Sequence, residues 1–167
     1  NLGTASPAGD VNVALLACDA EVELRSWQGE RRLPLREFFL APGRTALEPD
    51  EMIVAVRLPA IRRSGFLKVG KRLSVAISVA CCAVAELSDG RFGIALGSVG
   101  PTPMRASGAE AHLATFGLNQ RTIEAAARQV ADEVRPIDDH RASADYRRAV
   151  SGVLARRLLG SLAGLPA

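Results

Sequence analysis

Short runs of alternating apolar and polar residues dominate the first 60 positions of the chain. In Glu21 to Trp27, apolar residues alternate with charged ones, which is the period of a half-buried strand. Gln28-Gly29 then supplies a turn and Arg31 to Leu35 returns, so the segment predicts a β-hairpin. Met52 to Leu58 alternates in the same way and predicts a further strand, which ends at Pro59.

A loop and a short helix are expected ahead of this hairpin. Residues 1–9 are mostly small or polar, with two glycines and a proline, which is a loop composition. Asp10 is a favourable N-cap for the apolar segment Val11 to Cys18, so we expect one or two helical turns there. A brief helical turn is also expected at Leu35 to Leu40, before the loop Ala41-Pro42-Gly43.

A second group of strands follows Pro59 to Ser64, a charged segment that we interpret as the boundary between two lobes. Three strands are expected at Gly65 to Lys71, Ile77 to Leu87 and Arg91 to Ser98. Asp89-Gly90, between the last two, is a strong hairpin signal. The middle strand is apolar on both faces, as expected for a strand that is covered on both sides.

The apolar period changes after Pro103 to that of a helix. Two helices are expected at Ala106 to Phe116 and Arg121 to Val134, and Ser143 can cap a third. Residues 61–167 are therefore predicted to form a three-stranded antiparallel sheet packed on three helices, and the chain as a whole is α+β. The expected buried face of the third helix comprises Tyr146, Val150, Val153, Leu154 and Leu158.

Composition narrows the classes of function that suit this fold. Only 7 of the 167 residues are aromatic, against 28 alanines, so aromatic platforms for single-stranded nucleic acid are not expected. The net charge of +3 is spread evenly, with 12 basic and 11 acidic side chains in residues 1–104. Because binding to phosphate backbones needs cations clustered on one face, we expect no nucleic-acid partner.

The cysteines and the longest uncharged run bear on the cell compartment. Cys18, Cys81 and Cys82 form no CxxC pair, and adjacent strand residues point to opposite faces, so a disulfide between the last two would be strained. The uncharged run Leu73 to Ala85 has 13 residues, fewer than the roughly 18 that a membrane span needs. We therefore expect reduced thiols, no membrane span and a cytoplasmic protein.

Few side chains could carry chemistry by themselves. His112 and His140 lie 28 residues apart without the spacing of metal ligands, so no metal site is expected. We interpret Asp138-Asp139-His140 as a polar loop ahead of the third helix, and Gly97-Ser98-Val99-Gly100 as a turn. The small residues of the opening loop would let backbone amides approach a phosphate, but they are equally typical of an ordinary tight loop.

Six segments of the chain, taken in order, carry a family resemblance and together cover nearly all of it. They are NLGTASPAGD, SWQGERRLPLREFF, TALEPDEMIVAVRLP, FLKVGKRLSVAISVA, GSVGPTPMRASGAE and DDHRASADYRRAVSGVLARRLL. These segments resemble the FAD-binding subunit of the molybdenum hydroxylases, the family of xanthine dehydrogenase and aerobic carbon monoxide dehydrogenase. The resemblance implies the end of a vanillyl-alcohol-oxidase-type FAD-binding domain in residues 1–60 and the C-terminal domain of the flavoprotein in residues 61–167.

The resemblance also implies roles for five residues around FAD. Asn1 would end the loop that holds the diphosphate, Thr4 would place a hydroxyl close to the flavin, and Ile53 would line the pocket. Asp10 would accept hydrogen bonds from the polar chain of the cofactor. Lys68 would face the isoalloxazine, where a cation stabilises the anionic reduced flavin and raises its potential. The alternatives are local: a solvated lysine on an edge strand, and turn or N-cap bonding for Thr4 and Asp10.

The function implied by the resemblance is electron transfer within a complex. Substrate would be hydroxylated at molybdopterin in one partner subunit, electrons would pass through 2Fe-2S clusters in another, and FAD would hand them to an external acceptor such as NAD. The glycine-rich loop of the first FAD-binding subdomain has no counterpart here, so we expect a truncated subunit that binds FAD weakly and is inactive when expressed alone. The alternative is an assembly fragment that docks partner subunits without an FAD of its own.

Overall fold

The computed structural model describes residues 1–72 and 76–165, and it confirms the predicted α+β class. Within these residues the strands form a three-stranded sheet, a two-stranded sheet and a four-stranded sheet. The elements are α1 (Asp10–Ala17), β1 (Glu21–Ser26), β2 (Gly29–Pro34), α2 (Leu35–Phe38), β3 (Phe39–Ala41), β4 (Arg44–Thr45), β5 (Met52–Arg57), β6 (Ile61–Gly70), β7 (Ser78–Leu87), β8 (Phe92–Gly97), β9 (Met104–Arg105), α3 (Ser107–Phe116), α4 (Gln120–Glu133) and α5 (Ala144–Leu162).

The three-stranded sheet has the order β2-β1-β5 and contains the predicted hairpin. β1 and β2 pair antiparallel around the two turn residues Trp27 and Gln28. Pro34 lies in the edge strand β2, where its missing N–H costs no sheet hydrogen bond. The segment expected as one helical turn at Leu35 to Leu40 is instead divided, because α2 ends at Phe38 and β3 then pairs with β4.

The four-stranded sheet has the order β6-β7-β8-β9, so the three predicted strands are joined by a fourth. The additional strand, β9, has only two residues, and Met104 and Arg105 pair with Leu96 and Ala95 of β8. A strand this short, directly after Pro103, has no alternation that a sequence pattern could reveal.

β7 is covered on both faces, as predicted for the middle strand of the sheet. All ten residues of β7 are buried. Cys81 belongs to the core that includes α1, whereas Cys82 belongs to the core that includes α3, α4 and α5. We call these two sides the α1 face and the α3–α5 face. The adjacent cysteines thus point to opposite sides, and all three cysteines are free thiols.

The predicted cap of α5 is confirmed, but its predicted buried face is partly wrong. Ser143 Oγ accepts a hydrogen bond from the backbone N–H of Tyr146, at 3.2 Å. The side of the helix that faces the core contains Arg147 and Ser151, whereas Tyr146 and Val153 are exposed. The sequence pattern assigned burial by apolarity, and the guanidinium of Arg147 is accommodated because Asp139 and a backbone carbonyl pair with it.

The start of α1 also differs from the prediction. Gly9, which has no side chain to cap the helix, is the N-cap, and Asp10 is the first helical residue. An acidic residue in the first turn still interacts favourably with the helix dipole. Its carboxylate is directed towards the four-stranded sheet instead of towards the first N–H groups of the helix, because two donors from that sheet bind it.

Candidate functional site

Three side chains meet where α1 begins above the four-stranded sheet, one from α1 and two from the consecutive strands β6 and β7. The Nζ of Lys68 on β6 lies 2.6 Å from Oδ2 of Asp10. The Oγ of Ser78, the first residue of β7, donates to Oδ1 of the same carboxylate at 2.6 Å. We call Lys68, Asp10 and Ser78 the Lys68 cluster. The two strands bring a cation and a hydroxyl to opposite oxygens of one carboxylate.

Lys68 is held in place although it lies on an edge strand. It pairs with Cys81 in the sheet, and its side chain lies on the α1 face with about 35% of its surface exposed. Its ammonium group donates a second hydrogen bond to the carbonyl of Ala76, at 3.0 Å. An ammonium group has three donors, so among the described residues one donor of Lys68 is left for a ligand. The fixed geometry distinguishes Lys68 from a freely solvated lysine.

The opening loop is tied to α1 by a buried asparagine that the sequence analysis did not single out. Asn12 is fully buried, and its Nδ2 donates to the carbonyls of Asn1, at 3.1 Å, and Ser6, at 3.4 Å. The hydroxyl of Thr4 donates to the carbonyl of Asn1 at 2.9 Å and remains exposed. A polar residue within the apolar segment VNVALLA was the available signal, since a buried amide needs partners.

The fifth predicted site residue, Ile53, lies apart from the Lys68 cluster. It is on β5 in the three-stranded sheet, where it pairs with Leu24 of β1. Its side chain is half-buried and packs against the core of the α1 face. The structure therefore brings Asp10 together with Lys68, and Asn1 together with Thr4. Ile53 lies in the three-stranded sheet, apart from both pairs.

A cleft of about 430 Å³ borders the Lys68 cluster at Ser78. One wall is the opening loop at Ser6 and Pro7, and the others come from the end of β8 and the segment that leads into α5. The cleft is rich in cations, because three guanidinium groups line it together with one carboxylate. These four residues are Arg135, Arg141, Arg147 and Asp139.

Asp139 organises the segment that leads into α5. Its carboxylate accepts hydrogen bonds from the backbone N–H of Arg141, at 2.7 Å, and from Nη2 of Arg147, at 2.5 Å. Desolvation acts to raise the pKa of Asp139, but these hydrogen bonds and the charge of Arg147 outweigh it, and the pKa is lowered. Arg147 also donates to the carbonyl of Ser98, at 2.7 Å. The segment that was interpreted as a plain polar loop is thus anchored to the end of β8.

Two further classes of site were searched for in the described residues. No group of three or more histidine, cysteine, aspartate or glutamate side chains is arranged to hold a metal ion within residues 1–72 and 76–165. Among the helices of this part of the chain, none combines the length and apolarity of a membrane span.

Two known domain families match the chain in sequence. Residues 1–61 match the FAD binding domain in molybdopterin dehydrogenase. Residues 65–162 match the CO dehydrogenase flavoprotein C-terminal domain. The second match alone includes more than half of the chain, and the two follow one another with only residues 62–64 between them.

Individual relatives agree with the family matches. The xanthine dehydrogenase FAD-binding subunit of Escherichia coli O157:H7 is 30% identical over 167 residues, which cover 95% of this chain and 57% of the relative. The carbon monoxide dehydrogenase medium chain of Hydrogenophaga pseudoflava is 30% identical, over 93% of this chain and 56% of the relative. The chain thus spans less than three fifths of the length of either relative.

A solved structure shares the whole fold. Carbon monoxide dehydrogenase from Hydrogenophaga pseudoflava, in a form that lacks the Mo-pyranopterin moiety of its molybdenum cofactor, superimposes with a TM-score of 0.90 and 31% sequence identity. The match covers 99% of this chain and 60% of that chain. With the two domain matches, it establishes that the chain belongs to the family of FAD-binding, or medium, subunits of the xanthine and carbon monoxide dehydrogenases.

Proposed function

We propose that the chain forms part of the FAD site of a molybdenum hydroxylase and serves electron transfer. In this proposal the bound FAD would supply electron transfer between the 2Fe-2S clusters of one partner subunit, which receive electrons from substrate hydroxylation at molybdopterin in another, and an external acceptor such as NAD. The observation that carries the proposal is the contact of 2.6 Å between Lys68 Nζ and Asp10 Oδ2, beside the opening loop. It lies in a chain whose residues 1–61 match an FAD-binding domain.

The donor set around the opening loop fits the polar parts of a flavin nucleotide. Lys68 offers a positive charge and the one N–H donor to which residues 1–72 and 76–165 give no acceptor, Asp10 and Thr4 offer oxygen acceptors, and Asn1 lies at the start of the loop. FAD, when bound, supplies the redox chemistry, since its isoalloxazine accepts and releases electrons. We propose that Lys68 faces the isoalloxazine, that Asp10 and Thr4 bind the polar chain or the flavin edge, and that Asn1 ends the diphosphate loop.

Lys68 would tune the cofactor through its charge. Two unit charges about 4 Å apart interact by roughly 4 kcal/mol at an effective dielectric constant of about 20. A cation held near the flavin therefore stabilises its anionic reduced form and raises its potential. Asp10 opposes part of this effect, but its bond to Nζ also fixes where the cation lies.

The neighbouring cleft supports the part of the proposal that concerns the acceptor. Its volume of about 430 Å³ suits part of a nucleotide. The exposed Arg135 and the partly exposed Arg141 suit the phosphates of a dinucleotide, whereas the buried Arg147 is already paired with Asp139 and the carbonyl of Ser98. The cleft meets the Lys68 cluster at Ser78, so an acceptor bound there would lie next to the proposed flavin edge. We further propose a cytoplasmic location, which the three free cysteines support.

Replacing Lys68 by methionine in the natural protein, purified with the subunits it carries, tests the proposal. We expect the midpoint potential of the bound FAD to fall, while the subunit composition of the complex stays unchanged. Lys71→Met is the matched control, because Lys71 is the other lysine of the chain and bonds the carbonyl of His140 instead. An assembly fragment without FAD would carry no flavin in this chain, and an unshifted potential in Lys68→Met would contradict the tuning role.

A further inference from the structure

Ser78 is a buried hydroxyl that neither the sequence pattern nor the family resemblance assigns to the site. It begins β7, and only 1% of its surface is exposed. Its Oγ donates to Oδ1 of Asp10 at 2.6 Å, across 68 positions of sequence. A hydrogen bond to a charged acceptor is stronger than a bond between neutral groups, so this contact contributes to the position of the carboxylate.

The carboxylate of Asp10 is fixed because its two oxygens have different partners. Ser78 binds Oδ1, and Lys68 binds Oδ2. The side chains of Lys68 and Asp10 are each about one third exposed, so water competes for the ion pair. Ser78, which is shielded from water, keeps the carboxylate from turning. The direction of the Lys68 ammonium therefore depends on a hydroxyl that it does not contact.

Ser78 is itself held by the end of β8. Ser98 Oγ donates to the carbonyl of Ser78 at 2.8 Å, and the backbone N–H of Ser98 donates to the carbonyl of Pro7 at 2.8 Å. Ser98 has a φ of 62°, a left-handed backbone that is uncommon for residues other than glycine. Such backbone persists where surrounding contacts fix it. The opening loop, β7 and β8 thus meet at one rigid point.

Cys81, which pairs with Lys68 in the sheet and lies on the same face, is electrically neutral. The pKa of the Cys81 thiol is raised to about 12, mainly by burial and to a smaller extent by the negative charge of Asp10. Cys81 is therefore protonated at physiological pH. The charge of the cluster is carried by Lys68 and Asp10, so the orientation of Asp10 decides the field that reaches a ligand beside Lys68.

We propose that Ser78 is a positioning residue, which orients the Lys68 ammonium towards the flavin by holding the Asp10 carboxylate. The inference rests on the proposed function, because it needs FAD beside Lys68. In Ser78→Ala, Oδ1 of Asp10 loses its buried donor. The carboxylate then carries more unshared negative charge, and because it is no longer held in one orientation it no longer directs the Lys68 ammonium towards the flavin. Both effects disfavour the anionic reduced flavin, so the midpoint potential falls.

The test uses the natural protein with its FAD content measured first. We expect Ser78→Ala to lower the midpoint potential of the flavin and to raise the FAD dissociation constant roughly three- to tenfold. Ser78→Thr keeps the hydroxyl and should restore the potential towards that of the unchanged protein. Ser151→Ala is the matched control, because Ser151 is also fully buried and bonds the carbonyl of Arg147 at 2.7 Å on the α3–α5 face.

The possible results separate the two proposals. A potential that falls in Ser78→Ala, recovers in Ser78→Thr and is unchanged in Ser151→Ala supports the positioning role. Bound FAD with equal potentials in Ser78→Ala and the unchanged protein overturns that role and leaves the proposed function standing. An equal fall in Ser78→Ala and Ser151→Ala also overturns it, since any buried hydroxyl would then have the same effect. A folded natural protein without FAD overturns both proposals.

Discussion

The two faces of the four-stranded sheet are built from different residues. On β8, Gly93, Ala95 and Gly97 alternate with Ile94 and Leu96. The small residues face α1, and the large ones pack against α3, α4 and α5. The same strand thus presents a nearly flat surface on one side and an ordinary aliphatic core surface on the other.

The flat side allows α1 to lie very close to the sheet. A Cβ added at Gly93 would lie 1.9 Å from the carbonyl oxygen of Ala17, and one added at Gly97 would lie 2.6 Å from the side chain of Val13. This close approach brings Asp10, at the start of α1, within hydrogen-bond distance of Lys68 and Ser78. We conclude that small residues on the α1 face serve the polar site, whereas the α3–α5 face serves stability.

The largest effect on stability is expected from truncation on the α3–α5 face. Leu96 is fully buried, so Leu96→Ala removes apolar contacts and leaves a cavity. The free energy of unfolding should fall by about 2–5 kcal/mol, measured by urea denaturation. Leu40→Ala is the control, because Leu40 is 57% exposed and should change stability by less than about 0.5 kcal/mol. Equal stabilities of the two variants would contradict the assignment of this face to the core.

On the α1 face, replacing a small residue by a larger one is expected to reduce stability. In Gly93→Ala the new methyl group meets the backbone of α1, which cannot rotate away, so we expect a loss of about 1–3 kcal/mol in the free energy of unfolding. Gly160→Ala is the control, and it is expected to raise the free energy of unfolding instead of lowering it. A Cβ there meets nothing within 4 Å, and alanine in a helix should stabilise by about 0.5–1 kcal/mol. A Gly93→Ala variant as stable as the unchanged protein would show that α1 does not need the flat surface.

A smaller effect is expected for the opening loop, and it should concern FAD more than folding. Thr4→Val removes an exposed hydroxyl, so stability should change by less than about 0.5 kcal/mol while the FAD dissociation constant rises roughly fivefold. Thr115→Val is the matched control for Thr4→Val. Thr115 is also exposed, and its hydroxyl also donates to a nearby backbone carbonyl, in this case on α3. Titration of the flavin-free natural protein with FAD measures both variants, and equal affinities would remove Thr4 from the site.

A separate effect is a pH dependence of stability at Asp139, in the segment that leads into α5. The pKa of Asp139 is lowered in the folded state, so the stability it contributes is present above its unfolded pKa of about 3.9 and is lost as the pH falls towards the folded value. Asp139→Asn keeps an oxygen acceptor but removes the charge. The difference in the free energy of unfolding between the two proteins should therefore narrow below about pH 4. A difference that stays constant from pH 7 to pH 3 would contradict this role of Asp139.

Long periodic segments made most of the fold predictable from the sequence. β7 was recognisable because its sequence is apolar on both faces, and the structure buries all ten of its residues. The β1–β2 hairpin was recognisable because apolar and charged residues alternate in its first strand. β9 was not, since two residues define no period. The predicted buried face of α5 was also partly wrong. The burial of Arg147 depends on hydrogen bonds to Asp139 and Ser98, which lie outside the helix.

The candidate site was predictable only as far as the family resemblance named its residues. Asp10 and Lys68 were named in this way, and the structure brings them together. Ser78 could not be found, because its partner lies 68 positions away and no local spacing records such a contact. Asn12 offered a signal as a polar residue in an apolar segment, but its partner Asn1, 11 positions away, was visible only in the structure. The direction of Asp10 was missed for the same reason, since an N-cap role is the local expectation for an acidic residue before an apolar run.

The most direct test of the account is a structure of the natural protein with FAD bound, in which the distance from Lys68 Nζ to the nearest flavin heteroatom is measured. The account predicts a hydrogen bond, at about 2.7–3.2 Å, on the α1 face and with Asp10 still bound to Nζ. A flavin ring elsewhere, with Lys68 bonded only to Asp10 and Ala76, would contradict it.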